Sequence, residues 1–179
     1  IVHPVFVMRM TKNGALDTTY TPTGYADSVV MNHANSQAIA DVPDAGFVVV
    51  GSDQTVMQGM LAQFPYDGGA PVIETDLGYP VTINASVGAV AVQPDARFLI
   101  TGNGGGSFDH TTFLLRMLSP TIRDPSFNDA GGVVFFADHS MPSSIPYRYF
   151  YALAFAPDGR VVVGGNQQNS GILVMRIWL

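Results

Sequence analysis

The amino-acid sequence predicts an all-β fold of tandem antiparallel units, and three observations carry that prediction. The acids are thirteen Asp against a single Glu, Glu74; 19 Gly and 12 Pro accompany one lysine, Lys12; and a strand–turn–strand motif occurs three times. Asp, Gly and Pro favour turns and caps, and little here favours long helices. Many short strands joined by tight turns suit this composition.

The hairpin defines the repeat. Pro43–Ser52 (PDAGFVVVGS), Pro94–Asn103 (PDARFLITGN) and Pro157–Asn166 (PDGRVVVGGN) align without a gap, each after a small apolar run at Ala38–Ala40, Val90–Val92 or Leu153–Phe155. Proline presets φ for a type I turn, Asp suits the next place, and a following Gly takes the left-handed conformation that closes a bulged hairpin. Gly159 fits this scheme. Ala45 and Ala96 stand at the equivalent places, where a left-handed alanine costs about 1–2 kcal/mol, so those two turns are expected to be looser or of another type.

A second strand recurs at Phe6–Met10, Met60–Phe64, Phe113–Met117 and Leu173–Ile177. Its polar members, Arg9, Gln63, Arg116 and Arg176, are spaced by 54, 53 and 60 residues. Alternation puts Phe113, Leu115 and Met117 on one face, and the other face is apolar except at the Arg or Gln. A strand apolar on both sides is expected to be covered on both sides. Related turns follow at Asn13–Tyr20 and Thr121–Phe127, and a further strand is expected before each hairpin, at Gly132–Phe136 and at Ser28–Met31. Four strands per period give approximate units 1–64, 65–118 and 119–179 within one repeat domain. Sheets of four strands repeated so that both faces are covered are the solution adopted by the blades of a β-propeller.

The charged member of each strand needs a partner in its apolar layer. Asp17 lies eight residues after Arg9 and Asp124 eight after Arg116, while the middle copy has Gln63 and Pro71 at the two places. Ion pairs Arg9–Asp17 and Arg116–Asp124 are therefore expected, pinning each turn to its strand.

These residues resemble the bacterial delta-60 repeat proteins. The best matches are Ala154–Gly165 (AFAPDGRVVVGG) and Asn13–Tyr20 (NGALDTTY), and the likeness spans nearly the whole chain, though the middle unit lacks the second turn around Pro65–Gly69. The resemblance implies propeller-like architecture in large exported or surface-associated bacterial proteins, with no shared reaction and no catalytic residues to carry over.

Several function classes lose support from the residues alone. A net charge of -6 with eight scattered Lys and Arg offers no clustered positive field for nucleic acid. No apolar run has the length of a membrane span. With no Cys there are no disulfides, thiolate metal sites or cysteine nucleophile. His3, His33, His110 and His139 show no zinc spacing, and there is no Gly-x-Ser-x-Gly elbow. The glycine-rich stretch from Asn103 to His110 leads into a strand and has no P-loop lysine, so it reads as a connection rather than a phosphate cradle. Glu74 and Asp76, two residues apart, fix no carboxylate separation for glycosidase work. The eight Met residues fall mostly in apolar strands and read as core.

What this leaves is a noncatalytic module that binds a protein or a glycan, or spaces neighbouring domains, on an exported or cell-surface bacterial protein. The rival is a propeller-fold enzyme, hydrolase or lyase-like, with its site in the inter-strand loops. A ligand site is expected on the loops after the Gly-ended strands, at Asp53, Asn103, Asp109, His110, Asn166 and Gln167, since loops vary while strands stay alike. No cofactor is expected, although these side chains leave room for a divalent cation such as calcium. Four Arg-type strands flank only three hairpins, so Val5–Met10 is expected to be the last strand of a unit. Further repeats or further chains are then expected to pair at the terminal strands Val5–Met10 and Ile172–Leu179.

Overall fold

The structure, a computed structural model, describes residues 5–27, 34–53, 58–74, 77, 85–104, 111–128, 133–136, 148–167 and 171–179. Within them the chain is all-β, and no helix occurs among the described residues. Four antiparallel sheets follow one another along the sequence. The first pairs β1 (Phe6–Met8) with β2 (Tyr25–Asp27). The second is ordered β3 (Ala34–Val42), β4 (Gly46–Asp53), β5 (Gln58–Phe64), β6 (Val72–Glu74). In the third, β7 (Ser86–Val92), β8 (Phe98–Gly104) and β9 (Thr111–Ser119) lie side by side, and both β10 (Ile122–Arg123) and β11 (Val133–Phe136) pair with β9. The fourth is β12 (Arg148–Phe155), β13 (Val161–Gln167) and β14 (Gly171–Ile177).

The phase of the repeat differs from the sequence expectation. The short strand after each Arg-type strand pairs back onto it, β2 on β1, β6 on β5 and β11 on β9. The sheets therefore span 34–74, 86–136 and 148–177. The strand expected at Ser28–Met31 lies outside the described residues, and Tyr25–Asp27 takes its role. The Arg-type strand is consequently the third strand of the second, third and fourth sheets, and in the first sheet β1 is followed by a further strand, β2.

Three apolar layers separate the four sheets. Val5 and Val7 meet Val49, Met60, Ala62 and Phe64 between the first and second. Val48, Val50 and Leu61 of the second face Phe98, Ile100, Phe113, Leu115 and Met117 of the third. Leu99 and Leu114, on the third sheet's other face, meet Phe150, Val161, Val163, Leu173 and Met175 of the fourth. Alternating residues of one strand thus serve two different cores, as the two-sided apolar pattern requires.

One backbone device recurs in three sheets. The first strand carries a bulge, between Ser36 and Ala38, Val87 and Ala89, and Phe150 and Ala152. Opposite each stands a glycine, Gly51, Gly102 or Gly165, where a Cβ would lie 2.0, 2.2 and 1.8 Å from the carbonyl oxygens of Asn35, Ser86 and Tyr149. Only a residue without a side chain admits that approach.

The hairpin turns divide two to one. In the second and third, Gln93 accepts from Ala96 N at 3.0 Å and Ala156 from Gly159 N at 3.0 Å, with the closing bonds Gln93 N–Arg97 O and Ala156 N–Arg160 O at 2.7 and 2.8 Å. Ala96 takes φ 64° beside 81° for Gly159, so the second turn is the tight form after all. Its methyl packs against the core between the second and third sheets, which offsets the left-handed strain. In the first hairpin Asp44 takes the positive φ, 61°, followed by Gly46 at 116°, and that turn is of a different type.

Gly102→Ala is expected to lower stability by roughly 1–3 kcal/mol, by overpacking against Ser86 O. Gly164→Ala, where a Cβ finds only Ala152 Cβ at 3.5 Å, should be nearly neutral. Equal urea midpoints for the two variants would contradict the close-approach account.

Candidate functional site

The polar groups form two matching clasps. Asp17 N donates to Arg9 O at 2.8 Å and Asp124 N to Arg116 O at 2.9 Å, which folds each turn back over its Arg strand. Arg9 Nε donates to Asp17 Oδ2 at 2.8 Å, and Arg116 Nε to Asp124 Oδ2 at 2.7 Å. The other carboxylate oxygen of Asp17 accepts from Thr19 N at 3.0 Å and Thr19 Oγ1 at 2.5 Å. Asp124 does the same with Ser126 N at 2.9 Å and Ser126 Oγ at 2.6 Å. Each arginine closes the loop by donating to the hydroxyl, at 3.0 Å for Thr19 and 3.1 Å for Ser126.

Each guanidinium also covers an aromatic ring, Tyr20 at 4.9 Å and Phe127 at 4.7 Å. Those rings are buried, Phe127 in the core shared with the fourth sheet and Tyr20 edge-on to Phe47 of the second. A clasp therefore ties a turn both to its own strand and to the following sheet. The fourth sheet's Arg176 bonds instead to Asp158 of the hairpin turn, and Gln63 Nε2 donates to Ala45 O at 3.1 Å.

The hydroxyls and backbone amides that the clasp residues donate hold both carboxyls below the ordinary value of 3.8, Thr19 foremost for Asp17 and Ser126 foremost for Asp124, with the arginines adding to both. A folded value below the unfolded one means stability that is present above about pH 4 and lost as pH falls through the folded values.

The residues expected to form a ligand site are spread over three sheets. Asp53 ends β4, Asn103 lies in β8, and Asn166 and Gln167 end β13, so all four sit in strand ladders rather than in loops. Asp53 is buried and Asn166 exposed. Asn103 has a bonding role, its Oδ1 accepting from Phe150 N of the next sheet at 3.2 Å. Asp109 and His110 lie outside the described residues, as do the other three histidines. Among the described residues no three His, Asp or Glu come together in a way that could hold a metal ion.

An open cleft of about 490 Å³ lies elsewhere, between the outer strands and turns of the first two sheets. Thr21, Thr23, Tyr25 and Asp27 form one wall, and Gly68, Gly69, Pro71 and Ile73 the other. Gly68 takes φ 73° and a Cβ there would lie 2.2 Å from Tyr20 O, so the two turns touch through it. Thr21 and Thr23 donate to Tyr25 O at 2.8 and 3.1 Å, leaving their oxygens as acceptors. The sequence reading missed this cleft because its two walls come from turns far apart in sequence that the stacking of two sheets brings together.

This lining can accept and donate hydrogen bonds and offer a ring face. Among the described residues no helix is long and apolar enough to cross a membrane. Comparison with protein-family models and with curated proteins gives no match.

Asp124 is only 2% exposed, so Asp124→Ala strands the Arg116 charge and is expected to cost about 3 kcal/mol. Asp17→Ala, at a more exposed clasp, is expected to cost less. Urea titrations at a series of pH values should show the wild-type advantage over Asp124→Ala shrinking below about pH 4. An advantage constant down to about pH 2 would refute the charged clasp.

Proposed function

We infer that this chain is a noncatalytic β-repeat module of propeller-blade type that binds a ligand at the outer edges of its sheets. The supporting observation is how the polar side chains are used. Arg9, Arg97, Arg116, Arg160 and Arg176 pair with carboxylates of the clasps and hairpin turns, and an open cleft carries an exposed tyrosine, a carboxylate and hydroxyl acceptors. Ring faces beside hydrogen-bonding groups suit a glycan, whose sugar rings have an apolar face and a polar rim. The resemblance to delta-60 repeats supports reading it as part of an exported or surface-associated bacterial protein.

The rival, a propeller-fold enzyme, calls for polar loop residues from several sheets converging on one pocket. The cleft draws its polar side chains, Thr21, Thr23, Tyr25 and Asp27, from the first sheet alone, which favours the binding reading.

A glycan panel tests it. Tyr25→Ala is expected to weaken binding of the captured glycan roughly tenfold, the equivalent of about 1.4 kcal/mol, without shifting the melting temperature. Turnover of any panel member by the wild-type chain would favour the enzyme, and capture of protein segments alone would move the ligand class.

A further inference from the structure

Hydrogen-bonding capacity in the cleft between the first two sheets is one-sided. The hydroxyl oxygens of Thr21 and Thr23 lie 3.2 Å apart, and both donate to Tyr25 O, at 2.8 and 3.1 Å. A threonine hydroxyl has one hydrogen and two lone pairs, so each oxygen is left to accept. Asp27, on the same wall, adds a carboxylate, which when ionised only accepts. On the other wall Gly68 N donates to Pro65 O at 3.2 Å and Gly69 N to Asp67 Oδ1 at 2.9 Å, and Pro71 has no N–H. Among the described residues that line the cleft, the Tyr25 hydroxyl is the one side-chain donor left.

Charge in the cleft is one-sided too. Among the described lining residues Asp27 is the sole charged one, and it is exposed. The guanidinium of Arg9, just past β1, is bound on all three nitrogens, by Asp17, Thr19 and Tyr66 O. A carboxylate or sulfate on a ligand would meet acceptors and a like charge, and would lose its water with nothing in return. An ammonium meets the opposite case. Its three donors find a carboxylate and hydroxyl lone pairs, and the Tyr25 ring offers a face that attracts cations.

We propose that the cleft takes a glycan bearing a free amine, an amino sugar rather than a neutral or acidic one, with Asp27 selecting the ammonium. This rests on the glycan reading of the cleft and narrows it. The Tyr25 ring supports any sugar ring, whereas Asp27 distinguishes sugars by their charge. Because Asp27 is exposed, its pair with an ammonium is weakened by water and salt, and the preference is several-fold rather than absolute.

The probes are a glucosamine tetramer, its N-acetylated form, a glucose tetramer and a galacturonic acid tetramer. Each is titrated calorimetrically at about pH 5.5, above the ordinary carboxylate value and below that of an amine. The glucosamine tetramer is expected to bind roughly fivefold more tightly than the N-acetylated and glucose tetramers, and the galacturonic acid tetramer least tightly. Asp27→Asn is expected to remove the fivefold advantage, and circular dichroism should show the variant folded, since Asp27 is exposed. Salt at about 1 M should shrink the advantage as well. Equal affinity for the glucosamine, N-acetylated and glucose tetramers, each weakened by Tyr25→Ala, would overturn the amine preference and leave the glycan reading standing. An advantage that survives Asp27→Asn would overturn the role of Asp27. Capture of none of the tetramers would overturn both the preference and the glycan reading.

Discussion

Two-sided burial is the constraint on which this structure depends. The third strand of each complete sheet is apolar on both faces, so a single sheet cannot satisfy it and a neighbour is needed on each side. At 25 cal/mol per Å², an approximate figure, leaving one such face in water forfeits several kcal/mol for a few large side chains, a large part of the roughly 5–15 kcal/mol that holds a domain folded. Stacking is therefore what makes each sheet stable, and the stack has no internal reason to stop.

The clasps and bulges then fix how neighbouring sheets meet. A bulge lets the first strand press against the glycine of the second, and Asn103 uses that geometry to accept the amide of Phe150 across a joint. Phe127 enters the same joint from the turn, held there by the Arg116 guanidinium above it. Orientation of the layers is thus set by polar and backbone contacts, while burial supplies the stabilisation. Arg9 extends this logic, donating to Tyr66 O of the second sheet's turn at 3.3 Å as well as to Asp17.

Strand identity, two-sided burial and the Arg–Asp spacing were legible because each rests on local periodicity or on a fixed sequence separation. The phase of the repeat was not. A three-residue strand such as Val72–Glu74 carries no alternation long enough to show which neighbour it joins, and only the pairing of Ala62 with Ile73 decides it. Ala96 misled for another reason: its left-handed conformation is supported by core contacts that no turn propensity encodes. The cleft at Tyr25 and Asp27 escaped because its walls come from turns about 45 residues apart in sequence, brought together by stacking.

The second sheet shows what the clasp contributes, since it lacks one. With Gln63 in place of arginine and Pro71 in place of aspartate, no charge has to be neutralised and the turn is released from its strand's end. Other contacts hold it. Tyr66 packs edge-on to Phe47 at 5.0 Å and bonds through its hydroxyl to Asp41, a bond that pushes the phenol up to about 12. Asp67 Oδ1 accepts Gly69 N at 2.9 Å, and the turn so formed leans on Tyr20 O through Gly68. Where a clasp would draw the turn toward the third sheet, this one faces the first and forms a wall of the cleft. Loss of an ion pair in one repeat thus coincides with the open polar surface, and a departure from the repeat is what gives the cleft its place.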